Sequence, residues 1–281
     1  MQGVPQQFEF ASDRAEFFHP PARPGIELYR AHIVRHAFEP HTHAAYGFGA
    51  VASGVERFRY RGSEHLAAPG GIVTMNPDVL HTGRAESDGG WQYRMIYIEP
   101  QVLDDIAGQR GWWFADAVQQ QPARAQQLSQ LLAALWQADD ALAFDCLLAQ
   151  LVALLAPLAG SRPPHTATQR FDAVIDYMQA HLAQRISLEQ LAAVAGLSPF
   201  HFLRQFQAQH HATPQQMLMA LRLLEAKRRI AAGEPLAQVA AATGLADQAH
   251  LTRAFSRRYG VTPARYRQQL QQSGTRPRRH A

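Results

Sequence analysis

His41 and His43 stand two apart in the run PHTHAAYG, and His81 follows the turn signal Pro77-Asp78. Residues two apart on a strand face the same way, so the first pair would point to one side. Three convergent imidazoles can hold a divalent cation, or they can supply the polar part of a small-molecule pocket. Aromatic walls with a few polar groups suit an organic ligand. Tyr46, Trp91, Tyr93 and Arg94 could line such a pocket, and the same side chains also make ordinary core. No Ser/His/Asp arrangement or paired-carboxylate site stands out, so no catalytic residue is assigned.

A second set of residues suits nucleic acid. The stretches GLSPFHFLRQFQAQHHATP (196–214) and GLADQAHLTRAFSRRYGVTP (244–263) align at an offset of 49 from the polar residue after each Gly-Leu. Arg204 then matches Arg253, Phe206 matches Phe255, and Thr213-Pro214 matches Thr262-Pro263. Phe202 and Phe206, or Leu251 and Phe255, are four apart and make an inward stripe. The opposite face presents Phe200, Leu203 and Arg204 in the first copy, and Gln248, Ala249, Thr252 and Arg253 in the second. Arg can bond guanine edges or phosphates, Gln can bond adenine, and Thr or an apolar group can meet the thymine methyl.

The elements that must hold these residues are legible in the flanking signals. Ser187 with Gln190 makes a capping box, Gly196 turns the chain, and Ser198 with Pro199 opens the next helix. Pro235, Gly244 and Asp247 repeat the plan, giving helix, glycine turn, helix twice over. A linker helix is expected from about Pro214 to Ala231, and an earlier helix from about Phe171 to His181. Lys227, Arg228 and Arg229 end the linker helix, where cations complement its dipole.

Residues 26 to 99 contain short apolar runs: IELYRAHIV, YGFGAVASG, ERFRYRG, GIVTMNP and WQYRMIYIEP. They read as the strands of a small barrel or sandwich. The glycines of YGFGAVASG lack the context of a phosphate loop and read as a bend between strands. Leu128, Leu131, Leu132 and Leu135, then Leu147, Leu148, Leu151, Leu154 and Leu155, recur at helical spacing around Asp139-Asp140, a two-helix hairpin. Cys146 lies within the second run and is expected to be buried. The apolar run LLAQLVALLAPLAG, broken by Gln150 and Pro157, is shorter than the roughly 20 residues of a membrane span.

Charge separates the halves. Residues 1 to 160 carry 11 Lys/Arg against 17 Asp/Glu, net −6, and residues 161 to 281 carry 16 against 6, net +10. The basic part implies a polyanion partner. The stretch GSRPPHTATQ lies where the sign changes and reads as a linker, and the tail RPRRH (276–280) as a disordered phosphate clamp at most. One cysteine fits a reducing compartment, and the N-terminus lacks a signal peptide's apolar core, so the expected setting is the cytoplasm.

Residues 170 to 268 resemble the DNA-binding domain of the AraC/XylS family of bacterial transcription regulators; the second copy, with Pro263, Tyr266 and Arg267, is close to the family signature. The stretches around His41, His43 and His81 resemble that family's sensor domain, a small barrel related to cupins. The resemblance implies an α+β chain of two domains. Residues 1–160 would be a cupin-like effector-sensing and dimerisation domain, 161–169 a linker, 170–270 an all-α double helix-turn-helix domain and 271–281 a basic tail. It implies base-facing roles for Phe200, Leu203, Arg204, Gln248, Ala249, Thr252 and Arg253. Effector contacts are expected from His41, His43, Tyr46, His81, Trp91 and Tyr93. Metal-binding cupins usually place an acidic ligand just after the first histidine pair, whereas residues 44 to 50 here read AAYGFGA; no metal and no cofactor are expected. The partners are double-stranded DNA, a small-molecule effector, a second copy of the chain through the hairpin and, further, RNA polymerase, with no membrane. The alternatives are a metal-dependent cupin enzyme tethered to DNA and a nonspecific architectural DNA binder.

Overall fold

The computed structural model describes residues 12–161 and 169–273. The tail run RPRRH and most of the expected linker lie outside the described residues.

Among the described residues nine strands come first: β1 (Arg14–Phe18), β2 (Ile26–Ile33), β3 (Ala37–His41), β4 (Tyr46–Ser53), β5 (Glu56–Tyr60), β6 (Ser63–Ala67), β7 (Gly71–Met75), β8 (His81–Ala85) and β9 (Trp91–Ile98). Helix α1 (Pro100–Ala107) and strands β10 (Trp112–Trp113) and β11 (Val118–Gln120) lead to α2 (Pro122–Gln137) and α3 (Ala141–Leu155). A 3-10 turn at Ala156–Leu158 and the short β12 (Gly160–Ser161) follow. Six strands form one sheet in the order β1-β2-β9-β4-β7-β11, and four form a second, β3-β8-β5-β6. Side chains of both sheets, among them Tyr29, Phe58, Val73, Trp91 and Met95, fill the space between them.

Strand alternation sends Tyr46, Phe48 and Ala50 of β4 to the outer side, where α1, α2 and α3 cover the larger sheet. Gly47 and Gly49 of YGFGAVASG are therefore strand residues, and only Gly54, at φ 73°, makes the expected bend, between β4 and β5. Gly47 and Gly49 face inward, and at Gly49 the Met95 sulfur occupies the space a Cβ would take. Asp140 caps α3 by accepting from Ala143 N at 2.8 Å. Leu128, Leu132, Leu135, Leu148, Leu151 and Leu155 all pack into the domain's own outer core. The window Ala141–Leu158 has mean hydropathy 2.0 over 18 residues, long and apolar enough by composition to cross a membrane. Cys146 is exposed, contrary to expectation; it lies on the side of α3 opposite Leu148 and Leu151.

The C-terminal part is helical throughout the described residues: α4 (Gln169–Ala180), α5 (Leu188–Val194), α6 (Pro199–His210), α7 (Pro214–Ala231), α8 (Leu236–Ala242), α9 (Gln248–Tyr259) and α10 (Pro263–Ser273). Helix α10 continues three residues beyond the end expected for the domain. The capping box at Ser187 is present, and Thr213 with Gln216 forms a second one that opens α7. Phe171, Met178, Leu191, Phe202 and Phe206 make a core for α4, α5 and α6. The second helix pair packs differently. Leu251, Phe255, Tyr259 and Tyr266 share one continuous core with the inner face of the sheets.

Candidate DNA interface and sensor cavity

Both turns are built as the caps imply. Gly196 and Gly244 take φ of 64° and 69°, the left-handed region that glycine enters without strain. Asp247 accepts from His250 N at 2.6 Å and Ser198 from His201 N, fixing the first turn of each second helix. Phe202, Phe206, Leu251 and Phe255 are fully buried, which sets the rotation of α6 and α9.

That rotation leaves Phe200, Arg204, Gln248, Ala249 and Arg253 exposed. Phe200 is 70% exposed, and the Arg204 guanidinium lies 6.0 Å from its ring centroid. Leu203 is half-buried and turns toward the groove between the two helix pairs, beside Arg222 and His250. Thr252 is also half-buried; its hydroxyl donates to Gln248 O at 2.9 Å, which leaves its methyl and lone pairs for a partner. Neither α6 nor α9 contains an acidic residue, so nothing on these helices opposes a phosphate backbone.

The histidines converge as their spacing implies, through a route the sequence did not reveal. His41 and His81 are directly paired across β3 and β8, with ring centroids 4.2 Å apart. His43 lies just beyond β3, stacked on Tyr97 at 4.2 Å and 5.2 Å from each of the other two rings. His41 Nδ1 is 2.8 Å from Glu39 O, and His81 Nδ1 is 3.1 Å from Val79 O. Burial, then the neighbouring imidazole, holds His41 and His43 well below the ordinary histidine value; burial takes His81 down to about 4. All three rings are neutral at pH 7. They line a 40 Å³ cavity together with Tyr29, Glu56, Tyr93, Tyr97, Arg258 and Tyr259. Burial pushes the Glu56 carboxyl up to about 8.

Tyr93 thus joins the histidines. Tyr46 and Trp91 do not line this cavity: Tyr46 donates to Trp112 O at 2.7 Å on the helix-covered side, and Trp91 is fully buried in core. Arg94 lies on a separate outer depression with Arg14, Glu16 and Arg30. Sequence reasoning missed Glu56, Tyr97, Arg258 and Tyr259, because nothing local marks them.

Helix α9 borders this cavity. Arg258 and Tyr259, the last residues of α9, line it beside the histidines. Arg258 is 8% exposed, donates to Pro40 O at 3.1 Å and pairs with Glu39 at 2.8 Å. Alongside, Lys227 of α7 pairs with Glu27 of β2 at 2.6 Å, both side chains about one-tenth exposed. His19 Nε2 lies 2.6 Å from the same carboxylate, and Tyr266 donates to it at 3.1 Å. Burial alone would raise the Glu27 pKa, but Lys227 and His19 outweigh it and hold it at about 2. Gln269 bonds Phe17 N and Ala15 O, each at 3.1 Å. Lys227 is therefore an interdomain contact and not only a cation at a helix end; Arg228 and Arg229 pair with Glu225 on their own helix.

A barrel with a lined cavity, joined to two glycine-turned helix pairs, matches known families in both parts. Residues 23–156 match the model of the AraC-like ligand binding domain, and residues 191–269 match that of a helix-turn-helix domain. The chain belongs to the AraC/XylS family of transcription regulators. This AraC-family chain is 25% identical over 235 residues to the regulator YbfI of Bacillus subtilis, covering 80% of this chain and 86% of that one. It is 34% identical over 124 residues to the MmsAB operon regulatory protein of Pseudomonas aeruginosa, 44% of this chain and 40% of that one. Its fold is that of ToxT from Vibrio cholerae: the K231A form aligns at TM-score 0.60 and 10% identity, over 88% of this chain and 98% of that one. An unsaturated fatty acid-bound ToxT aligns at 0.58 and 9% identity, over 93% and 96% of the two chains. The protein is a DNA-binding transcription regulator with a ligand-binding domain.

Proposed function

We propose that α6 and α9 read two adjacent major-groove segments of an operator, using Phe200, Leu203, Arg204, Gln248, Ala249, Thr252 and Arg253, and that the barrel governs the placement of α9. The observation that carries this reading is the double use of α9. Its exposed residues Gln248, Ala249 and Arg253 offer DNA-reading chemistry, while its last two, Arg258 and Tyr259, line the sensor cavity. A ligand in the barrel then changes DNA binding through differential contact with one helix, a coupling between two sites. The second unit, with Gln, Thr and Arg, discriminates bases; in the first, Arg204 is the main polar contact.

The division at 161–169, action in the cytoplasm as a binding protein without catalysis, and contact with RNA polymerase at the promoter belong to the same proposal. So does a homodimer. With most hairpin leucines turned inward, the surface left for a second copy is the outer stripe of α3: Leu142, Cys146, Ala149 and Ala153, all exposed and uncharged at heptad-like spacing.

The deciding experiment is a footprint and binding isotherm on the cognate operator. Arg253→Ala should weaken it by about 5- to 150-fold, the 1–3 kcal/mol of a bidentate base contact, with the melting temperature unchanged. Unchanged operator affinity would sink the assignment, and equal affinity for random DNA would favour a nonspecific binder.

A further inference from the structure

The geometry points to a site for one divalent cation of the Zn²⁺ class held by His41, His43 and His81 and faced by Tyr259 of α9, so that a metal ion is a signal this regulator reads. The inference deepens the proposed coupling and rests on it only for the consequence at DNA.

Four observations carry it. One ligating nitrogen from each histidine lies within 4.8 Å of the others. A tetrahedral ion with bonds of 2.0–2.1 Å needs them about 3.3 Å apart, reached by side-chain movement on the order of 1 Å. His41 and His81 place Nδ1 against backbone carbonyls, which fixes the proton there and turns the Nε2 lone pair inward. Metal-ligating histidines are oriented by this same second bond. His43 Nε2 is buried with no hydrogen-bond partner, and so is the Tyr259 hydroxyl, whose ring lies 5.9 Å from His41 and 6.4 Å from His43. A cation shared with His41 and His81 would give the partnerless His43 nitrogen a bond.

Size and charge point the same way. The cavity of 40 Å³ has room for an ion with a water, whereas organic ligands occupy roughly 300–1,000 Å³. The two nearby cations are already matched, Arg258 by Glu39 and Lys227 by Glu27. Glu56 is the one acidic residue in the lining. Three neutral nitrogens with an open fourth position suit Zn²⁺, Co²⁺ or Ni²⁺ and not Mg²⁺ or Ca²⁺, which take oxygen ligands.

The test uses the full chain, stripped with a chelator and titrated with Co²⁺ and then Zn²⁺. One equivalent should bind, with the visible absorption of a low-coordinate nitrogen site, and Zn²⁺ should displace it and raise the melting temperature. His43→Gln should weaken binding at least 100-fold. Tyr259→Phe should keep the stoichiometry yet reduce the effect of Zn²⁺ on operator affinity. Absence of the Co²⁺ band and of the melting shift in the unmutated chain overturns the inference, as does unchanged affinity in a folded His43→Gln; the first two readouts stand even if that variant misfolds. Operator binding without metal uptake refutes this inference alone, whereas metal uptake without operator preference refutes the DNA-reading proposal and leaves the metal site standing.

Discussion

Replacing Lys227 with Met keeps the length of the side chain and removes its charge. Glu27 would then be left beside Phe17 and Tyr97 with His19 as its one charged partner and the Tyr266 hydroxyl as its remaining donor. The carboxyl stands at about 2 against a reference of 4.5, and at 1.36 kcal/mol per unit that depression is worth about 3 kcal/mol. The loss expected for Lys227→Met is therefore about 3–5 kcal/mol, the range for breaking a buried pair and stranding one charge. Glu27→Gln added to Lys227→Met should restore most of it, because no buried charge remains. The depressed pKa also sets a pH window. The stabilisation is fully present above 4.5 and is lost as pH falls through about 2, so the gap between wild type and Lys227→Met should close over that interval. Urea unfolding of the four proteins of this cycle, at fixed ionic strength from neutral to acid pH, measures both. A loss below about 1 kcal/mol for Lys227→Met at pH 7, the value of an exposed pair, refutes the reasoning, as does a double variant no more stable than the single one.

Glu56→Gln should stabilise the metal-free protein with the opposite pH dependence. The wild-type carboxyl, at about 8 in the fold and 4.5 as reference, supports the fold only while protonated, so wild type falls behind by about 5 kcal/mol between pH 4.5 and pH 8; parallel melting curves in chelator would contradict this. Gly49→Ala should cost about 1–3 kcal/mol, since the new Cβ meets the Met95 sulfur and the Arg94 carbonyl oxygen at 2.7 Å; an unchanged urea midpoint would show that β4 has slack. Leu142→Glu, at a side chain 71% exposed, should leave thermal stability within about 0.5 kcal/mol and convert a dimer to monomer in light scattering. A dimer that persists moves the interface elsewhere.

The helical half was legible because its signals are local. Ser187, Ser198 and Asp247 cap within three residues of themselves, and Gly196 and Gly244 mark their turns without reference to the rest of the chain. The expected linker helix coincides with α7 for the same reason. The sensor cavity was legible only in part. The spacing of His41 and His43 announced a cluster, yet the cross-strand pairing of His41 with His81 depends on β3 and β8, whose short polar sequences AFEPH and HTGRA carry little strand pattern. Cys146 was misjudged because a leucine-rich run shows that a helix is apolar without showing which side is covered. Tyr259 was missed, and Lys227 read only as a helix-end cation, for a deeper reason: their partners are about 200 residues away, and a helix-end lysine has the same local sequence whether it meets water or a carboxylate.

Of the 27 basic side chains only Lys227 is a lysine, and it is the one sealed between the barrel and α7. The chain therefore carries a single side-chain amine, silent to acylating reagents while the two parts are closed on each other. Mass spectrometry after a brief pulse of an amine-reactive label would report opening of that interface at one unambiguous position, with no probe engineered in. The other basic side chains are arginines, which do not react, so ligand, metal and operator could each be scored for whether they hold the joint shut or release it.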